Sequence, residues 1–224
     1  MITPEIKRKI LQIVNVFETG KLEGRYDELV VMNDGPGGIP QITYGRSQTT
    51  EYSGLKNLVQ RYIRSEGKYA TQLSEYVSRI GKTPLSNDRV FKQLLVQAAR
   101  NDPMMISVQD EFFDKTYYQP AYKFFISNGF KLPLSLLVIY DSYIHSGRVP
   151  DFLRRRFGEK IPARGGNEKE WVARYCDVRH QWLKYHSNPI LRKTTYRTAC
   201  FKEQIASGNW MLDQPIKVQG VVVV

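Results

Sequence analysis

The chain has 224 residues, 42% of them apolar, with 14 Tyr, 10 Phe and 3 Trp, which is ample for a packed core and excludes a disordered or low-complexity protein. Its two cysteines exclude a disulfide framework, and no apolar run approaches the roughly 18 residues of a membrane span. The formal charge of +11 favours an anionic partner, and it is uneven: Arg148 to Cys200 holds thirteen basic and five acidic residues, Glu18 to Asn57 four and six.

In chain order, Thr3-Pro4-Glu5 predicts a helix start, with Thr as N-cap, Pro at the first helical position and an acid in the first turn. Ile6, Ile10, Ile13, Val14 and Phe17 recur at helical spacing and predict one buried face that ends at Gly20, so Glu18 closes a buried helix. "DELVVM" (27–32) and "IPQITYG" (39–45) read as two short strands, and "NDGPGG" between them is turn chemistry that carries Asp34. Helical patterns follow at 53–67 and 69–82, within 83–102, and as a longer aromatic-rich helix over 103–128. "LPLSLLVIYDSYIHSG" (132–147) is apolar nearly all round and predicts the centre of the core. "NEKEWVARYCDVRHQWLKYH" (167–186) is amphipathic, with Asn167 as N-cap. "IKVQGVVVV" (216–224) predicts an edge strand or a disordered end, and Cys176 and Cys200 read as small buried residues in preference to a bridge.

Glu18 and Asp34 are the candidate chemistry. Cleaving a glycosidic bond needs one carboxyl to donate a proton to the leaving oxygen and another to activate water or attack carbon. A buried helix end and a polar, glycine-lined turn are different environments, and such a difference separates acid from base roles. Other motifs carry less. "DGPGG" lacks the Gly-Lys-Ser/Thr of a phosphate loop, and His145, His180 and His186 lack metal spacing, so neither metal nor cofactor is expected. "FLRRRFGEK" (152–160) reads as a solvated face or the rim of an anionic-polymer site in preference to a nucleic-acid contact. Tyr44 and Tyr52 are the candidates for stacking on sugar faces.

The run "FETG", "NDGPGG…ITYG", "LKNLVQRY" resembles the catalytic region of the chitosanases of glycoside hydrolase family 46. The likeness continues through "LLVQAARNDPM", "YYQPAYKFFISNGFKLPLSLLVIYDSYIHSG" and "PARGGNEKEWVARYCDVR", over about residues 6 to 212. It implies a mainly helical, two-lobed lysozyme-like fold with a small β element beside the cleft, the whole of 1–224 being one catalytic domain. It implies an endo-acting, inverting glycosidase with Glu18 as general acid and Asp34 as general base, the carboxyls about 6.5–9.5 Å apart. Asp141, Arg179 and, more loosely, Lys160 match a buried charge network behind the acid. Thr43, Tyr44, Arg46, Gln48, Thr49 and Thr50 fall where substrate contacts are expected.

The chain also departs from that pattern. Pro36 stands where the family has an Arg two residues after the base, and Gly54 lies nearest the position of a carboxylate that meets the cationic sugar; Glu51 is the one nearby substitute. With Arg46 beside the expected cleft and +11 overall, charge favours anionic peptidoglycan over cationic chitosan as the polymer cut. The alternatives are a true chitosanase, or a catalytically weak cell-wall-binding module such as a phage tail part. No secretory signal is visible in the sequence, so the route to an expected site of action outside the cell or in the periplasm stays open: a signal already removed, or delivery by another route such as a phage or secretion machine.

Overall fold

The computed structural model describes residues 2–46 and 48–224. In chain order it contains α1 (Pro4–Thr19), β1 (Leu29–Met32), β2 (Gln41–Tyr44), β3 (Thr49–Thr50), α2 (Leu55–Arg64), α3 (Ala70–Ser74), α4 (Arg89–Asn101), α5 (Pro103–Phe113), α6 (Gln119–Ser127), α7 (Pro133–Ser146), α8 (Asp151–Arg154), α9 (Glu168–Lys184), α10 (Pro189–Arg192), α11 (Thr195–Ala206), β4 (Ile216–Val218) and β5 (Val221–Val223). The architecture is mainly helical with two small antiparallel sheets. Among the described residues no helix is long and apolar enough to cross a membrane. Contacts divide the chain into one unit made of the residues up to Glu23 with Tyr117–Val224, and a second made of Gly24–Thr116.

In the first unit α7 is central, with every residue from Pro133 to Ser142 buried, as its all-round apolar pattern predicts. α1 packs on α7 and on the β4–β5 hairpin, and α9 packs on α7 and α11. Thr3 caps α1 by accepting from the Ile6 N–H, and Gly20 ends it in the left-handed conformation. Asn167 caps α9 through the Glu170 N–H. The C-terminal valines are a hairpin: Ile216 pairs with Val223 and Val218 with Val221 across a Gln219-Gly220 turn. Cys176 and Cys200 are free and buried.

In the second unit, β1, β2 and β3 form an antiparallel sheet in that order, with Leu29 opposite Tyr44, Met32 opposite Gln41 and Thr43 opposite Thr50. Ile42 and Tyr44 join Leu55, Leu58, Val59, Tyr62, Phe91 and Leu95 in its core. Two predicted helices differ from expectation. Residues 69–82 are helical only over α3, after which Tyr76, Val77 and Arg79 donate to the carbonyls three residues back, tightening the chain into turns. The helix predicted over 103–128 runs helical from Pro103 to Ser127 but carries a π-turn at Asp114–Tyr118. Pro120 explains the π-turn, because it has no N–H and its ring would collide in a regular α-helix with the carbonyl four residues earlier, Thr116.

Candidate active site

Glu18 lies in the last turn of α1, its side chain 31% exposed. The helix end is fixed by Thr19 Oγ1 donating to Asn15 O and by Asn15 Nδ2 donating to Leu22 O. Behind Glu18 runs a chain of charges from three other segments. Arg197 Nη2 on α11 donates to Glu18 Oε1 (2.5 Å) and its Nε to Asp141 Oδ1 (2.9 Å), while Arg179 Nη1 on α9 donates to Asp141 Oδ2 (2.7 Å). Asp141 and Arg179 are fully buried. Burial alone would raise the Asp141 carboxyl, but the charges of Arg197 and then Arg179 outweigh it and hold the group below the ordinary range. Burial likewise opposes the Arg197 charge, and Asp141 and Glu18 together push that guanidinium above its usual value.

The Asp141–Arg179 pair of the sequence reading is therefore present, and Lys160 is not part of it. Lys160 is exposed on the loop before α9, and Arg197 is the second arginine. The signal for Arg197 is its spacing: it falls three, four and seven residues before Cys200, Phe201 and Gln204, on the buried face of α11.

His145 stands one turn beyond Asp141 on α7, half-buried, and burial followed by the charges of Arg179 and Arg197 depresses its imidazole to about 4. The unfolded imidazole titrates near 6.5, so between about pH 6.5 and 4 the unfolded chain binds a proton the folded chain refuses, and stability falls as pH falls. The slope from this group is at most about 1.4 kcal/mol per pH unit. His145→Gln should flatten the pH dependence of the urea midpoint in that window; an unaltered slope would show that the depressed imidazole is not its source.

Asp34 lies on the exposed turn after β1. Gln41, the first residue of β2 and 5% exposed, donates from Nε2 to Asp34 Oδ1 (2.9 Å). Gly35 lets the turn close: its N–H donates to Ile39 O, and a Cβ at residue 35 would lie 2.7 Å from that same oxygen. Gln41 carries no signal in the sequence, where its neutral amide looks like strand filler.

The remaining expected contacts separate. Tyr44 is 0% exposed and donates its hydroxyl to Leu95 O, so it offers no ring face to a sugar. Thr49 is buried and donates to Tyr44 O. Arg46 is spent within the second unit: its guanidinium bonds Asp110, which also accepts from Tyr26 Oη, and lies over the Phe113 ring. Glu51 is no substitute cleft carboxylate, because it is 1% exposed and accepts from the N–H groups of Ile42 and Leu85. Thr43 is buried with its hydroxyl unpartnered, Thr50 and Tyr52 are half-buried, and Gln48 is exposed with φ +47°. Among the described residues no group of three His, Cys, Asp or Glu side chains forms a metal cage.

The family model for glycosyl hydrolase family 46 matches residues 12–216. The chain belongs to that family. A chitosanase of Bacillus subtilis (strain 168) is 29% identical over 95% of this chain and 81% of its own. A family-46 chitosanase of Gynuella sunshinyii, solved with chitotetraose, superposes with a TM-score of 0.78 at 26% identity, covering 99% and 98% of the two chains. The native chitosanase of Bacillus subtilis MY002 shares the fold over the whole of both chains, with a TM-score of 0.78 at 24% identity. The protein is thus a glycosidase, with the mainly helical family-46 fold.

Proposed function

We propose that the protein is an endo-acting, inverting hydrolase of the β-1,4 bonds of chitosan, residues 1–224 acting as one catalytic domain. The observation that carries the reading is that both carboxylates of the family-46 pattern have a dedicated partner, Glu18 in Arg197 and Asp34 in Gln41. In the reaction, protonated Glu18 gives its proton to the leaving oxygen as the glycosidic C–O bond breaks. Asp34 takes a proton from water whose oxygen bonds the anomeric carbon from the opposite face. The Arg197 guanidinium stabilises the Glu18 carboxylate left behind, and Asp141 with Arg179 keeps Arg197 in place. Thr43, Gln48, Thr50 and Tyr52 remain as candidate contacts to substrate.

Charge no longer favours peptidoglycan. Arg46, one of the three features behind that preference beside the missing carboxylate near Gly54 and the overall +11, is paired with Asp110. Part of the positive C-terminal third is also internal, since Arg179 and Arg197 are buried against Asp141. The relatives named above are chitosanases, so chitosan is the better supported polymer. Release of reducing ends from chitosan and peptidoglycan, assayed side by side, tests this: a higher rate on peptidoglycan overturns it. Proton NMR of the first products should show the α-anomer, and a β-anomer would exclude inversion.

Gln41→Ala leaves Asp34 without its fixed donor. We expect kcat on chitosan to fall by about tenfold with KM nearly unchanged, since orientation and not sugar binding is lost. A rise in KM at constant kcat would instead make Gln41 a sugar contact.

A further inference from the structure

The first unit contains a cavity of about 310 Å³ lined by apolar Phe124, Val149, Ile161 and Trp171 and by a charged set of Arg154, Lys160 and Arg164 against the single carboxylate Asp151. We propose that it binds a small organic oxyanion, a phosphate monoester or carboxylate carried on a compact body. It is not part of the Glu18 machinery: Trp171 precedes Arg179 by eight residues on α9, about 12 Å of helix. A polymer of protonated amines is repelled by such a lining. The inference therefore goes beyond the chitosan reading and does not depend on it.

The loop that supplies Lys160 and Arg164 has little regular structure, yet it is tied down repeatedly. Arg154 donates to Phe157 O (2.9 Å) and Glu159 O (2.6 Å), and stacks over Phe157. The Asn167 N–H donates to Glu159 Oε1, and the Ala163 N–H to Asn128 O. The last contact needs Gly129, where a Cβ would stand 2.8 Å from the Ala163 nitrogen. None of these ties uses the side chains of Lys160 or Arg164, which have no ion-pair or hydrogen-bond partner among the described residues. A backbone held in one shape, with two cations left unspent, is a preorganised anion site, because little ordering remains to oppose binding. Its volume lies at the small end of ligand cavities and suits one hexose-sized body.

Titration calorimetry of the full chain with glucose 6-phosphate, glucuronate and uncharged glucose tests the proposal. Both charged probes, or one of them, should bind at millimolar concentration while glucose does not; the one that binds tighter tells phosphate from carboxylate. The Lys160→Ala, Arg164→Ala double variant changes two exposed side chains without partners. It should keep the wild-type thermal midpoint and lose at least about tenfold in affinity for the charged probe. The proposal is overturned if neither charged probe binds, if glucose binds equally well, or if the double variant binds as the parent does.

Discussion

Glu18→Gln should lower kcat on chitosan by about 10³-fold, the usual scale for loss of a positioned general acid, while polymer binding stays near wild type. The amide keeps the shape of the carboxyl and still accepts from Arg197, so the helix end and its charge network stay in place. Asp34→Asn should give a loss of similar size, because the amide cannot take the proton from water. The measurement is the initial rate of reducing-end release, together with retention of the inactive variants on chitosan. Full activity in either variant would remove that residue from the mechanism. Loss of binding along with rate would mean that the carboxylate holds sugar and does not transfer a proton.

Asp141→Ala should be the most destabilising single change in the first unit. It leaves Arg179 and Arg197, both buried, facing each other's charge without the carboxylate between them. Removing one partner of such a network costs about 3–5 kcal/mol, which in a chain of this size lowers the thermal midpoint by about 10 °C. Activity should fall as well, since Arg197 loses the bond that aims it at Glu18. Replacing Asp141 and both arginines together by apolar residues should recover much of the stability but none of the activity. A midpoint unmoved in Asp141→Ala would show that solvent already screens the two arginines.

The parts of the fold legible in the sequence are those where periodicity and capping agree. Thr3-Pro4 with a helical apolar face marks α1, Asn167 with acids in the first turn marks α9, and an unbroken apolar run marks α7. Where only one signal is present the reading slips. Pro120 is visible in the sequence, but the aromatics around it hold a helical period straight through it, and the result is a π-turn. β2 is buried at all four positions, so alternation cannot tell which of its side chains meet solvent, and Tyr44 looks available when it is core. Glu18 and Asp34, the proposed acid and base, stand out in the sequence through the family-46 motifs around them, which helix-end and turn chemistry alone would not single out. Their partners do not: Gln41 is uncharged, and Arg197 sits on α11, whose apolar face includes a buried cation that breaks the usual pattern.

The first unit is assembled from the two ends of the chain, with the second unit inserted between them. During synthesis α1 therefore emerges early, yet its packing partners α7 and the β4–β5 hairpin come much later, and Arg197 lies 179 residues beyond Glu18. The second unit, continuous in sequence, has its own core within reach long before that. Closing so long a loop is slow compared with local folding, so Glu18 should acquire its geometry last. A chain cut short before Ile216 would carry every residue of the proposed mechanism and still leave part of the apolar face of α1 uncovered.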